Sequence, residues 1–150
     1  MYMNFWYPVA ASDEVTNTKP LRVSILCLNF VAFRDSTGVA HVLSDTCIHR
    51  GGALGEGKVK GDCVECPYHG WRFNSKGECT RIPSVGKQTK PPLRARVDAY
   101  PVQEKYGIVF AFLGDLPEDE RPPILPIDEH GTPDWRSTLL VFDVDYYYER

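Results

Sequence analysis

Long apolar runs, sustained helical periodicity and a surplus of positive charge are all absent from this chain of 150 residues. The apolar opening at 5–11 is too short to cross a bilayer, and no basic flank or cleavage pattern accompanies it. We therefore expect no membrane span. The net charge of −3 gives no reason to expect nucleic acid or an anionic membrane as a partner.

Cysteine and histidine are scarce as well. The five cysteines, an odd number, do not suggest the disulfide framework of a secreted protein, so we expect a reducing, cytoplasmic location. Histidine occurs only four times, at positions 41, 49, 69 and 130. So few imidazoles limit the number of metal sites that the chain can build.

Two short segments combine these two residue types. Residues 47–51 read CIHRG, and residues 66–71 read CPYHGW. Each segment offers one thiolate and one imidazole, two residues apart in the first and three apart in the second. Two Cys and two His, divided evenly between two loops, form the ligand set of a Rieske [2Fe–2S] centre, in which two His replace two Cys on one iron. The sequence therefore predicts a one-electron redox centre.

The residue types suit that chemistry. If each loop supplies one ligand to each iron, Cys47 and Cys66 bind one iron, and His49 and His69 bind the other. Thiolates neutralise the charge of a ferric iron, whereas neutral imidazoles leave the second iron less electron-rich. The added electron therefore localises on the second iron, and the reduction potential rises relative to an all-cysteine cluster.

The neighbours of these residues suit tight loops over a packed core. Gly51, Gly52 and Gly70 permit positive φ and let backbone N–H groups approach the cluster. We expect Trp71 and Phe73 to pack in the core beneath it.

A mononuclear zinc site is the main alternative for the same residues. Cys63 and Cys66 form a C-x-x-C pair, which could complete a tetrahedral site with His69, His49 or Cys47. A redox dithiol would use the same pair, but no βα context that opens a helix is evident there. The cluster is favoured because the paired C-x-H and C-x-x-H, with glycines after both histidines, is a more specific pattern than a lone C-x-x-C.

The remaining cysteines and histidines have structural interpretations. We expect Cys63 to be half-buried in a strand, and Cys27 and Cys79 to pack in strand-like runs. We expect His41 to be a satisfied strand residue and His130 to be solvated.

The pattern of apolar and turn residues predicts an all-β fold. Tight hairpins are predicted around Gly61-Asp62 and around 74–77. The remaining strands are predicted at 21–28, 30–34, 39–43, 94–100 and 108–113. The two ligand loops then lie at hairpin tips, with the cluster near the surface.

On these residues the chain resembles the N-terminal Rieske [2Fe–2S] domain of Rieske non-haem iron oxygenases, the ring-hydroxylating and related monooxygenase group. The resemblance covers about 4–114 and rests on the two segments, on NFWYP at 4–8 and on YGIVF at 106–110. Ile48 departs from the family, in which proline is common at that place. The resemblance implies a Rieske-type antiparallel β-sandwich, with a small cluster-binding subdomain made of two loops at hairpin tips.

The neighbours of the ligands indicate the subtype. Respiratory and photosynthetic Rieske proteins carry an extra cysteine in each loop, which form a disulfide, whereas Gly52 and Tyr68 occupy those places here. Those proteins also place a serine after the second His-Gly, where this chain has Trp71. Fewer hydrogen bonds to sulfur stabilise the reduced state less, so we expect a lower potential, as in the oxygenases.

The composition changes after residue 114, and we predict three regions. Residues 1–114 form the Rieske domain, 115–135 an acidic, proline-rich linker, and 136–150 the first strand of a catalytic domain, with strand alternation at 138–148. A mononuclear iron site of two His and one carboxylate would need further histidines, and only His41 and His130 are unassigned. We therefore expect an incomplete oxygenase chain, which by itself lacks the catalytic iron.

The resemblance also implies a function and partners. A reductase or ferredoxin would reduce the cluster, which would pass single electrons to a mononuclear non-haem Fe(II) in the missing catalytic domain. That iron would oxidise an organic substrate with O₂, often in a neighbouring subunit of a homotrimer. The alternative is a stand-alone Rieske ferredoxin, a carrier without catalysis, although a carrier needs no linker and strand after residue 114.

Overall fold

The computed structural model describes residues 4–86 and 89–140, which form an all-β fold of antiparallel sheets and confirm the predicted fold class. The strands in this part of the chain are β1 (Phe5–Ala11), β2 (Leu21–Ile25), β3 (Leu28–Arg34), β4 (Ala40–Ser44), β5 (Lys58–Lys60), β6 (Cys63–Glu65), β7 (Arg72–Asn74), β8 (Cys79–Arg81), β9 (Ala99–Tyr100), β10 (Val102–Lys105) and β11 (Ile108–Leu113). Single 3₁₀ turns occur at Leu54–Glu56, Pro83–Val85 and Glu118–Glu120. No helix among these residues is long and apolar enough to cross a membrane.

The described residues form three sheets. The first has the order β1-β11-β10, and the second has the order β2-β3-β4-β9. The third, β5-β6-β7-β8, is a meander whose hairpins carry the second ligand loop. We call this third sheet the cluster sheet.

Strand β3 explains how the layers stack, because both of its faces are buried. Phe30 and Ala32 pack against the first sheet, through Val109 among others. Val31 and Phe33 point the other way and pack with residues of the cluster sheet. Since successive side chains of a strand point to opposite faces, a strand that is covered on both sides reads as a continuous apolar run, as this one does.

Strand β11 is also covered on both sides. Val109 and Ala111 face the second sheet, whereas Phe112 packs on the outer side with Trp6 and Ile124. Ile124 belongs to the segment that was predicted to be an extended linker, and it is buried there. The indole Nε1–H of Trp6 donates to the Pro122 carbonyl at 2.7 Å. This part of the segment therefore lies against the domain.

The predicted strands are found with shifted ends. The hairpin Lys58–Lys60/Cys63–Glu65 is as predicted, and 94–100 is a strand only at Ala99–Tyr100. Ala95 and Val97 are nevertheless buried, and their backbones bond to Cys79 at the start of β8 and to Gly77 in the β7–β8 turn. Strand β1 was not predicted. It contains Pro8 and a bulge, which disguise its pattern.

Two further predictions concern Cys27 and the C-terminal segment. The expectation that Cys27 packs in a strand is wrong, because Leu26 and Cys27 form the β2–β3 turn at positive φ and the thiol is exposed. Residues 136–140 contain no strand. The rest of the strand predicted at 138–148 lies outside the described residues.

Candidate metal centre

The first ligand loop, residues 46–53, follows β4 and is closed by a bridge between Thr46 and Ala53. The backbone N–H of Cys47 donates to the Gly52 carbonyl at 2.9 Å. The N–H of Gly51 donates back to the Cys47 carbonyl at 2.8 Å. These two bonds turn the chain around the segment that contains His49.

The second ligand loop, residues 66–71, connects β6 to β7 and has the same backbone pattern. The N–H of Cys66 donates to the Trp71 carbonyl at 2.8 Å, and the N–H of Gly70 donates to the Cys66 carbonyl at 3.0 Å. Each loop thus places a cysteine at its base and a histidine near its tip. Two different sequences, C-x-H and C-x-x-H, are accommodated by one turn geometry.

Glycine is required in these loops for two different reasons. Gly51 and Gly70 have φ of 70° and 69°, in the left-handed region that other residues avoid. Gly52 does not have positive φ, but a Cβ there would lie 3.0 Å from the Cys66 Sγ and 3.3 Å from the Tyr68 Cβ. Its lack of a side chain lets the two loops come together.

The two thiols lie side by side in the interior. Cys47 and Cys66 are both buried free thiols of one core cluster, and Cys66 lies close enough to raise the pKa of Cys47. Burial raises the pKa of the Cys47 thiol to about 11, partly offset by the backbone N–H of His49. The thiol is therefore protonated at neutral pH, and a metal must displace that proton to bind.

The two imidazoles lie together at the surface. The rings of His49 and His69 are 4.7 Å apart between centroids, with an angle of 68° between their planes. Desolvation lowers the pKa of His49, and the nearby His69 and Arg50 lower it further. The neutral form is therefore favoured, and this is the form that binds metal ions.

The four side chains thus form two pairs, one of thiols and one of imidazoles. In residues 4–86 and 89–140, no three His, Cys, Asp or Glu side chains are grouped around a single point as one metal ion requires. A pair of thiols beside a pair of imidazoles is the donor arrangement of a binuclear centre with unlike irons. The donor set therefore fits a [2Fe–2S] cluster.

Core packing was predicted for Trp71, and the structure adds a contact with a proposed ligand. Its ring stacks on His49 with 4.6 Å between centroids and 5° between planes, so the second loop supports a residue of the first. Phe73 is fully buried, as predicted. Stacking between loops depends on how the hairpins meet, and sequence spacing contains no information on that.

Asp45 is a residue of the site that the sequence analysis did not identify. It is almost fully buried two positions before Cys47, and burial raises the pKa of its carboxyl. Its Oδ2 is 2.8 Å from the Arg22 Nε, and its Oδ1 accepts the Gly55 N–H at 2.6 Å. The carboxylate therefore ties the first ligand loop to β2 and to the 3₁₀ turn that follows the loop.

The other cysteines and histidines lie in structural positions. Cys63 is half-buried in β6 and Cys79 is buried, as predicted. His41 lies in β4, and its Nε2 is 2.8 Å from the Asp35 Oδ2, which agrees with the prediction of a satisfied strand residue. His130 is exposed, with its ring 4.8 Å from the ring of Tyr106.

Comparison with known proteins identifies the family of this chain. The family of the Rieske [2Fe-2S] domain matches residues 5–101, which include both ligand loops. The chain belongs to this family. A Rieske domain of this family is consistent with the thiol and imidazole pairs described above.

Characterised relatives of this Rieske domain are oxygenase subunits. The chain is 35% identical over 130 residues to the 3-chlorobenzoate-3,4-dioxygenase oxygenase subunit of Comamonas testosteroni, covering 84% of the chain and 30% of that protein. It is 40% identical over 122 residues to the phenoxybenzoate dioxygenase subunit alpha of Ectopseudomonas oleovorans, covering 81% of the chain and 29% of that protein. The chain therefore spans less than a third of the length of these relatives.

A solved structure gives the same result for the fold. The structure of NdmA from Pseudomonas putida CBB5 superimposes with a TM-score of 0.76 at 27% identity. The match covers 87% of this chain and 40% of that one. The described sheets therefore share their fold with this part of NdmA.

Proposed function

We propose that Cys47, Cys66, His49 and His69 hold the [2Fe–2S] cluster of this Rieske domain. The observation that carries the proposal is the separation of the four side chains into a buried thiol pair and an exposed imidazole pair. When bound, the cluster supplies a redox centre that accepts and releases one electron at a time.

The chain's own residues would do three things in this proposal. Cys47 and Cys66 would give up their protons to bind one iron, and their burial would keep water from the sulfur side. His49 and His69 would bind the other iron and leave an exposed edge from which an electron can pass. Trp71 would hold the His49 ring in orientation by stacking.

We further propose that the domain serves an oxygenase. It would take electrons from a reductase or ferredoxin and deliver them to a mononuclear non-haem iron, for the O₂-dependent oxidation of an organic substrate. The names of the two oxygenase relatives support this proposal. The acceptor iron would belong to a catalytic domain, in a homotrimer. A cytoplasmic location is supported by the five cysteines, which are all free thiols.

The first test compares two cysteines of the same C-x-x-C pair. Cys66→Ser should abolish iron, acid-labile sulfide and the visible absorption, because a buried ligand is lost. Cys63→Ser should keep all three, because Cys63 is a half-buried strand residue in β6. Iron and sulfide analysis with electron paramagnetic resonance measures both. Normal iron and sulfide in Cys66→Ser, or their loss in Cys63→Ser, would contradict the assignment.

The second test concerns the oxygenase. The coding sequence should continue in frame past residue 150 and encode a His/His/carboxylate set. The protein produced from it should consume O₂ when reduced. A stop codon directly after residue 150 would instead favour the stand-alone carrier.

A further inference from the structure

The outer face of the cluster sheet is basic, although the chain as a whole has a net charge of −3. Strand alternation turns Val59, Val64 and Phe73 into the core and leaves their neighbours outside. One register row across the four strands is Lys58, Glu65, Arg72 and Arg81, and Lys60 lies opposite Cys63 in the next row. The strand residues of this face therefore include four cations and one carboxylate, and a second carboxylate, Glu78, accepts a hydrogen bond from Asn74 in the row of Lys60.

The cations of this face are only partly neutralised. The Oε2 of Glu65 lies 2.6 Å from the Arg72 Nε. Glu65 therefore pairs with Arg72 and not with Lys58, Lys60 or Arg81. Among the described residues, neither Lys60 nor Arg81 is in an ion pair. Both line a shallow cavity of about 300 Å³, together with Cys63, Arg72 and Thr80. Such a face attracts a negatively charged surface.

This basic face is also connected to the ligand loops. Glu65 directly precedes Cys66, and Arg72 directly follows Trp71, whose ring stacks on His49. The Glu65–Arg72 pair spans the base of the second ligand loop. A protein that docks on the face would therefore lie few bonds away from the proposed cluster ligands.

The histidine edge has a different character. Ile48 and Tyr68 next to the histidines are 53% and 60% exposed, and Arg50 is the cation among them. Lasting interfaces are more apolar, whereas electron-transfer encounters are small, transient and steered by charge. The apolar edge thus suits a permanently attached acceptor, and the basic face suits a donor that comes and goes.

We propose that the outer face of β5–β8 is the docking surface for an acidic electron-donor protein, a one-electron carrier of the [2Fe–2S] ferredoxin class. The proposal rests on the proposed function, since it names the donor side of the same electron transfer. One electron leaves the reduced donor and arrives at the Rieske cluster, with no bond made or broken. The donor is oxidised and the cluster is reduced.

The test uses a plant-type [2Fe–2S] ferredoxin as the acidic probe, because the potential of such ferredoxins lies below that of Rieske centres. Titration calorimetry with oxidised ferredoxin measures binding, and stopped-flow absorption measures cluster reduction by the reduced form. Lys60→Glu and Arg81→Glu should each weaken binding and slow reduction by about fivefold or more, and added salt should abolish the difference. Lys60→Gln, a milder change, should give a smaller effect in the same direction.

Lys19→Glu is the matched control. Lys19 is an exposed lysine just before β2, away from the cluster sheet, and the substitution changes the charge by the same amount as Lys60→Glu. It should bind ferredoxin within about twofold of the unmodified protein. Equal binding by Lys60→Glu, Arg81→Glu and Lys19→Glu would overturn the docking face. So would tight, saturable binding of inorganic phosphate to the cavity without any effect of the variants on ferredoxin, since the face would then be a small-anion site. A cluster that dithionite cannot reduce would instead overturn the proposed function itself.

Discussion

The two ligand loops share one backbone geometry but are supported by different side chains. In the first, the buried Asp45 accepts bonds from Arg22 and from the Gly55 N–H. In the second, the corresponding support is the partly buried pair of Glu65 and Arg72, at 2.6 Å. The loops therefore share their backbone bonds and glycines and differ in how deeply the anchoring carboxylate is buried, so we expect the first loop to be anchored more strongly.

The largest effect is expected where the loops touch. Gly52→Ala would place a Cβ 3.0 Å from the Cys66 Sγ, so this proposed ligand atom must shift by a few tenths of an ångström. We expect iron per chain to fall several-fold. Gly61→Ala is the control, because nothing lies within 4 Å of its Cβ; its φ of 61° adds a backbone strain that Gly52 does not have. That variant should lose about 1 kcal/mol of unfolding free energy and keep its iron. Full iron content in Gly52→Ala would show that the close approach is unimportant.

The unequal anchoring gives the next prediction. Asp45→Ala should lower the free energy of unfolding by about 2 kcal/mol, since it removes a buried acceptor that bonds a charged group and a backbone N–H. Glu65→Ala should cost less, about 1 kcal/mol, because Glu65 is less buried than Asp45 and its ion pair is partly screened by solvent. Chemical denaturation measures both.

Asp45→Asn sharpens this comparison. Burial raises the pKa of the Asp45 carboxyl, because removing the charged form from water costs free energy. An uncharged amide avoids that desolvation cost. Asn can still accept from the Gly55 N–H, and the loss should therefore be smaller than in Asp45→Ala. If Asp45→Ala and Glu65→Ala lowered the free energy of unfolding by the same amount, the two loops would be anchored equally strongly.

A smaller effect is expected away from both loops, at Asp35. The hydrogen bond from His41 lowers the pKa of this carboxyl, and the bond from Thr37 lowers it further. A carboxyl with a lowered folded-state pKa stabilises the fold above its unfolded pKa of about 3.9, and this contribution is lost as the pH falls.

Asp35→Asn should therefore be less stable than the unmodified protein at neutral pH and should lose less stability between about pH 5 and 3. Thermal unfolding across that interval measures the difference. Parallel curves for the two proteins would show that the Asp35–His41 pair contributes nothing to acid sensitivity.

Much of the fold and of the candidate site could be predicted from local sequence. The hairpin of β5 and β6 follows from Gly61-Asp62 between two alternating segments, and the four proposed ligands follow from spacing within two short motifs. Local patterns suffice there, because turns and paired ligands involve residues close in the chain.

Contacts between distant residues could not be predicted. The stacking of Trp71 on His49, the bond from Arg22 to Asp45 and the docking of Pro122 on Trp6 each join separate elements. Their existence depends on how hairpins and sheets pack. Cys27 was mispredicted for a related reason, since an apolar-looking run concealed a turn at positive φ.

The division of ligands into a thiol pair and an imidazole pair is the central claim, and a pH titration of the reduction potential tests it most directly. Exposed histidine ligands on the iron that changes valence lose protons more easily when the cluster is oxidised. The potential should therefore be constant near neutral pH and fall in alkaline solution, approaching about 60 mV per pH unit for each proton lost. A potential that stays flat from about pH 6 to 10 would contradict ligation by His49 and His69.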